Sequence, residues 1–359
     1  MKKRETTKLK EKKGVIMGKD NYFKIDVELH LLESLEHYDY FPKIVHRKKL
    51  PYHLSGRALF GPEGSPGHSR PGDVLYGTSF WQTAGRQGVL TPEDLLALMD
   101  KYAIDMACLL PEVMANFTGY STRWSSNGLV SEVCKKYPER FIFQPNVGPL
   151  LKRGLKEALW ELEYLVKERN AKLVKFYPCE DTYINDPQIW PFYEKVNELD
   201  IPVCIHTGDS WVPNHLSKYS LPMLLEDVMV DFPEMKVICF HFGWPYFHDL
   251  NIVARSFPNV YVGTNLQQNW GVSRPRRFAE LIGEAIEYVG IDRIVWGTDG
   301  VGPEAIFRNS VQGLADFQIP EDMQQGYGYQ PLTEENKRKI FGLNLAKLLN
   351  IEPKRRVRG

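Results

Sequence analysis

Residues 172–208 read KLVKFYPCEDTYINDPQIWPFYEKVNELDIPVCIHTG. Two short apolar runs, 172–177 and 202–206, flank a segment that reads as a helix over 186–199. Continuous apolar runs of this length suit parallel strands covered on both faces. The same unit recurs outward in both directions. Strand-like runs fall at 23–31, 106–110, 141–147, 172–177, 202–206, 236–240, 260–264 and 293–296. Helical segments fall at 91–103, 127–137, 151–169, 186–199, 222–231, 247–256, 277–289 and 333–349. Thr91-Pro92-Glu93-Asp94 has the order of a helix start, with a Thr cap, Pro in the first turn and acids behind it. Eight strands, each followed by a helix, predict an α/β fold of the (β/α)8 TIM-barrel type, with a long insertion after strand 1. A doubly wound sheet is disfavoured, because no G-x-G-x-x-G follows the first strand.

The barrel spans 20–352. Residues 36–90, rich in Gly, Pro, Ser and Tyr, form the insertion. Residues 1–19 and 353–359 read as basic tails, too polar to bury a face. The chain of 359 residues carries 45 Lys+Arg against 45 Asp+Glu. That balance argues against nucleic acid or an anionic membrane as a partner. No apolar run approaches the ~20 residues of a membrane span. No apolar segment of the signal-peptide kind follows the basic N-terminus, so the expected location is the cytoplasm. Five cysteines, Cys108, Cys134, Cys179, Cys204 and Cys239, form no C-x-x-C pair, which suits reduced thiols and not a disulfide framework.

In a barrel of this kind the chemistry sits at the C-terminal ends of the strands. Strand 1 ends in Glu28-Leu29-His30, strand 5 in His206-Thr207-Gly208, strand 6 in His241-Phe242-Gly243 and strand 8 in Thr298-Asp299-Gly300. Residues two apart on a strand share a face, so Glu28 and His30 can grip one ion. Their oxygen and nitrogen donors suit zinc or manganese. His206 and Asp299 can complete the set from across the barrel. Each residue alone has a plainer reading: a hydrogen-bonded carboxylate, a polar core imidazole, an Asx-turn aspartate. Their joint placement at the strand ends favours a metal site.

The motifs E-L-H (28–30), I-H-T-G (205–208), H-F-G-W-P (241–245), W-G-T-D (296–299) and the closing segment LTEENKRKIFGLNLAKLL (332–349) resemble the amidohydrolase superfamily. So does NDPQIWPFYEKVNELDIPVCIHTG (185–208). The resemblance covers roughly 20–352 and is to the branch of aminocarboxymuconate-semialdehyde decarboxylase and γ-resorcylate decarboxylase. Glu28 stands where most of the superfamily has the first His of H-x-H, and this E-x-H is similar to the metal-dependent hydroxybenzoate decarboxylases. Lys175 lies inside its strand and not at the very end, which disfavours a carbamate bridge between two ions.

The resemblance implies one divalent ion, Zn2+ or alternatively Mn2+, held by Glu28, His30, His206 and Asp299. It further implies Asp299 and His241 as the catalytic pair, with Asp299 delivering a proton to the carbon that loses CO2. It implies a small carboxylic acid as substrate and a homodimer or homotetramer. Two negative ligands, Glu28 and Asp299, would neutralise a divalent ion, which tilts the reading from hydroxide attack toward chelation of an anionic substrate. A hydrolase or hydratase that uses metal-bound water on the same residues is the alternative. The insertion should drape over the barrel mouth, where its aromatics and Arg57, Arg70 and Arg86 could meet an aromatic acid.

Overall fold

The computed structural model describes residues 22–31, 91–111, 125–210, 215–300 and 304–357. Both the expected tail at 1–19 and the insertion at 36–90 lie outside the described residues.

Eight parallel strands run in sequence order: β1 (Ile25–Leu31), β2 (Met106–Pro111), β3 (Phe141–Phe143), β4 (Val174–Phe176), β5 (Val203–Ile205), β6 (Val237–Cys239), β7 (Val260–Gly263) and β8 (Ile294–Val295). They pair as β1-β2-β3 and as β4-β5-β6-β7-β8. Single bridges close the ring, Asn146 to Lys175 between β3 and β4 and Leu29 to Gly300 between β8 and β1. The result is the expected (β/α)8 barrel.

Local chemistry accounts for the helices that ring it. Helix α1 (Pro92–Lys101) starts on a full capping box. Thr91 Oγ1 accepts from the Asp94 amide at 3.1 Å, and the Asp94 carboxylate accepts from the Thr91 amide at 2.9 Å. Helix α2 (Asn127–Lys136) starts on Ser126, which accepts from the Leu129 amide. The long helix expected over 151–169 is instead two pieces, Leu150–Arg153 and α3 (Leu155–Lys167), parted at Gly154. Then follow α4 (Trp190–Glu198), α5 (Leu225–Asp231), α6 (Phe247–Ser256) and α7 (Pro275–Tyr288). Two helices that the sequence reading does not contain, α8 (Glu304–Ala315) and α9 (Glu321–Tyr327), come between β8 and the closing helical run 334–348, α10. That run carries a π turn over Lys339–Leu343.

Side chains fill two layers. Ile25, Val27, Cys108, Ile142, Cys204, Ile238 and Val295 pack inside the barrel. Leu29, Leu109, Phe143, Val174, Val203, Val237 and Val262 face the helices. All five cysteines are buried and unbridged.

Helix α8 sits very close to the two short helical turns Gln267–Asn269 and Trp270–Ser273. A Cβ on Gly313 would fall 1.9 Å from the carbonyl oxygen of Gln268. Gly313→Ala is therefore expected to destabilise the protein by on the order of 1–3 kcal/mol, although alanine is about 1 kcal/mol better in a helix. Urea unfolding of the two proteins checks the sign.

Within the stretch read as a basic tail from 353, residues 355–357 are bonded to the base of the barrel. Asp105, fully buried ahead of β2, accepts hydrogen bonds from the Arg355 side chain at 3.2 Å and from the amides of Arg356 at 2.5 Å and Val357 at 3.1 Å. Arg355 also donates to the Tyr22 carbonyl at 2.7 Å. A buried carboxylate needs such donors, and the end of the described chain supplies them.

Candidate metal centre

The centre begins with an irregularity in β1. The pairing of β1 with β2 shifts register between Asp26 and Leu29. Before the shift Ile25 and Val27 point into the barrel, while after it Leu29 and Leu31 point out toward the helices. The bulge thus reverses the alternation and turns Glu28 and His30 inward. Asp26 holds it in place. Its carboxylate accepts from the amides of Glu28 at 3.0 Å and Thr298 at 2.8 Å, and from the Thr298 hydroxyl. Burial pushes the Asp26 carboxyl up to about 7 against these bonds.

The turn after β8 brings in the third residue. Asp299 has φ 54, its amide donates to the Glu28 carbonyl at 3.0 Å, and the His30 amide donates to the Gly300 carbonyl at 2.9 Å. Ligand atoms of Glu28, His30 and Asp299 consequently lie within 4.8 Å of one another. His30 Nε2 is 3.0 Å from Asp299 Oδ1 and 3.7 Å from Glu28 Oε1. Two carboxylates and an imidazole, buried at a barrel mouth, fit a divalent ion such as zinc or manganese.

Sequence reading missed two partners of Glu28. Lys175 Nζ lies 2.5 Å from Glu28 Oε1, with both side chains buried, and Asn265 Nδ2 donates to Glu28 Oε2 at 2.9 Å. The Lys175 ammonium also stands over the rings of Phe240 and Tyr177, at 3.7 and 4.5 Å from their centroids. A charged residue in a strand covered on both faces was the available signal, since such a charge needs a partner. Lys175 alters the charge argument made from sequence. One of the two negative charges is already met by an ammonium, so the carboxylates do not simply neutralise a divalent ion.

The two carboxyl groups are driven apart. Burial raises Glu28, but Lys175, His30 and His241 outweigh it and hold Glu28 far below the usual range. Burial raises Asp299, the Glu28 charge adds to it, and Asp299 ends above its ordinary value.

His206 and His241 are brought together at the barrel mouth. His241 Nε2 faces His206 Nδ1 at 3.1 Å. At their far sides His241 Nδ1 meets the Asn265 carbonyl at 3.2 Å and His206 Nε2 meets the Asp209 carbonyl at 3.1 Å. A carbonyl only accepts, so both far nitrogens carry hydrogens, and the near nitrogens face each other as lone pairs unless one proton lies between them. Burial, then His241 and Lys175, push His206 well below its ordinary value. His206 is therefore outside the trio of gathered donors. His241 approaches Glu28 Oε2 to 3.9 Å, and its hydrogen bonds are to His206 and to the Asn265 carbonyl. The glycine of I-H-T-G has a steric role: Gly208 has φ 84, and a Cβ there would fall 2.0 Å from the Trp244 carbonyl oxygen. The insertion residues expected at the mouth lie outside the described residues.

The uncharacterised TIM-barrel protein Bb4693 of Bordetella bronchiseptica superposes with a TM-score of 0.62 at 19% identity, covering 91% of this chain and 98% of its own. A 5-carboxyvanillate decarboxylase of Novosphingobium aromaticivorans, solved with manganese, superposes at 0.59 and 16% identity, covering 92% and 98%. The 2,6-dihydroxybenzoate decarboxylase of Rhizobium does so at 0.57 and 18%, covering 92% and 99%. Among curated proteins, fluG of Emericella nidulans is 28% identical over 164 residues, 42% of this chain and only 18% of that protein's length. A family model described as amidohydrolase matches residues 25–351. With nearly all of the barrel so matched, the chain belongs to the amidohydrolase family, whose members are enzymes that generally depend on a divalent metal.

Proposed function

We propose that the protein is a metal-dependent, non-oxidative decarboxylase of a hydroxylated aromatic, or related unsaturated, carboxylic acid. Glu28, His30, His206 and Asp299 would hold one Zn2+, or alternatively Mn2+. The observation that carries the reading is the divergence of the two carboxyl groups. Glu28 is kept ionised by Lys175, and Asp299 is kept toward its acid form by burial. Carboxyl groups set apart in this way take different roles, one binding and one donating a proton. Two structurally similar proteins are decarboxylases of aromatic acids.

When bound, the ion supplies a positive charge that fixes the substrate carboxylate and a neighbouring hydroxyl. Asp299 holds the proton on its carboxyl and gives it to the ring carbon that bears the carboxylate. The bond from that carbon to the carboxylate then breaks, its electron pair returns to the ring, and CO2 leaves. Lys175 and Asn265 keep Glu28 in one orientation throughout. His241, 3.9 Å from Glu28, lies beside this route and can return a proton to it.

Lys175 also favours the runner-up, a hydratase or hydrolase on the same residues, because its cation leaves the site less neutral than two carboxylates alone would. A 4-oxalomesaconate hydratase of Rhodopseudomonas palustris shares the fold, with a TM-score of 0.53. Isotopes separate the readings. A panel of hydroxybenzoates run in D2O should release CO2 and leave deuterium on the carbon that carried it. Oxygen from labelled water in the product, with every carboxylate retained, would establish the hydratase or hydrolase instead.

Metal content tests the ligand set. His206→Ala is expected to lose the ion and His241→Ala to keep it, as read by elemental analysis of folded protein. Full metal in His206→Ala would leave Glu28, His30 and Asp299 as the protein ligands. A homodimer or homotetramer is part of the same proposal; the stacked, exposed Trp160 and Tyr164 on α3 are an apolar feature that such an assembly would cover.

A further inference from the structure

A second group of reactive side chains stands at the ends of β4 and β5. Cys179 and Glu180 lie in the turn Pro178–Glu180 behind β4, and Ser210 and His215 follow β5. His215 Nε2 is 3.0 Å from Glu180 Oε1, and the two side chains are 2% and 1% exposed. On the other side of the ring, His215 Nδ1 is 2.5 Å from Ser210 Oγ and 3.4 Å from Cys179 Sγ.

Hydrogen placement follows from the partners. A carboxylate only accepts, so the ring hydrogen sits on Nε2, and Nδ1 offers its lone pair. The Ser210 hydroxyl then donates to Nδ1. Read along the chain of bonds, this is a hydroxyl, a base within reach of its proton, and a buried carboxylate that fixes the base's tautomer. That is the arrangement which turns an unreactive hydroxyl into a nucleophile, and it is recognised by geometry and not by sequence order. Ser210 is half-buried, so a small reagent can reach it, whereas Cys179 is fully buried. None of these residues belongs to the metal set or to the proposed decarboxylation.

We propose that Ser210 is a nucleophile toward small activated acyl and phosphonyl esters, driven by His215 and Glu180 and independent of the metal. In the acyl reaction Oγ bonds to the carbonyl carbon while its proton passes to His215 Nδ1. The ester C–O bond then breaks, and the alcohol leaves with that proton. Water, deprotonated by the same nitrogen, cleaves the acyl-serine to the free acid. With a fluorophosphonate the O–P bond forms, the P–F bond breaks and fluoride leaves, which traps the serine.

The test is labelling of the full-length holoenzyme with a fluorophosphonate, with and without chelator, followed by peptide mapping. Label on Ser210 at an unchanged rate in chelator is expected. His215→Gln should slow it by ~10²–10⁴-fold, the usual range for an acid–base group. Should that variant not fold, as judged by circular dichroism, Glu180→Gln reads the same relay and should also slow labelling. Cys179→Ala should not slow it, because the thiol only shares Nδ1 with the hydroxyl. No label on Ser210 of the folded protein, label on Cys179, equal rates in folded His215→Gln, or loss of labelling in chelator would each overturn the proposal.

Discussion

Asp299→Asn is expected to lower CO2 release by ~10²–10⁴-fold, the loss that follows removal of a positioned proton donor. The amide is close in shape and keeps an oxygen for the cation, but it has no carboxyl proton to give. The pH profile should agree. Without an ion, burial and the Glu28 charge raise the Asp299 carboxyl, and a bound cation pulls it down again; the acid form is present below the resulting value and lost above it. Turnover of the native enzyme should accordingly fall as pH rises through that value, and the residual rate of Asp299→Asn should not follow the same limb. Stopped assays of CO2 release across pH check both, with elemental analysis to show that the variant is loaded. A variant that turns over at the native rate would remove Asp299 from the acid role.

Lys175→Met should produce the largest change in stability. It leaves Glu28 buried and charged, with its ammonium partner at 2.5 Å removed. Breaking one side of a buried ion pair costs about 3–5 kcal/mol. Urea unfolding of metal-free protein should show that loss. Adding Glu28→Gln to Lys175→Met should recover most of it, since the stranded charge is then gone. Loading Zn2+ or Mn2+ should also recover part of it in the single variant, because a cation on Glu28 answers the same charge. Full stability in Lys175→Met alone would mean that Glu28 takes up a proton there at little cost.

Much of this was legible beforehand. Every strand and the placement of Glu28, His30 and Asp299 follow from short apolar runs and from what stands at their ends. The period of two was enough to pair Glu28 with His30, because the irregularity between Asp26 and Leu29 leaves the two side by side. It could not show the bulge, which arises from Asp26 bonding across to Thr298, a residue 272 positions away. The pairing of Lys175 with Glu28 is hidden from the sequence for a related reason. Its partner is on another strand, and three residues of β4 carry no alternation from which to read its direction. The separation of His206 from the gathered donors depends on two main-chain carbonyls, of Asp209 and Asn265, that no pattern of side chains reveals. Helices α8 and α9 fall between the last apolar run and the closing helix, where the sequence analysis assigns no element. The buried stripe of α8, with Ile306, Ser310, Val311 and Leu314 at helical spacing, was the signal there.

The bonds from Arg355 to the Tyr22 carbonyl and to Asp105 join the two ends of the described barrel at the base, where β1 and β2 begin. The strand ends that carry Glu28, His30 and Asp299 are at the opposite face. A short linker from Val357 to Tyr22, in place of what lies beyond them, would therefore make a circular permutant, with new termini opened in a surface turn such as that around Gly290. Such a permutant should keep its mouth untouched, and native protein tethered to a support through the exposed Lys354 should present that mouth to the solution.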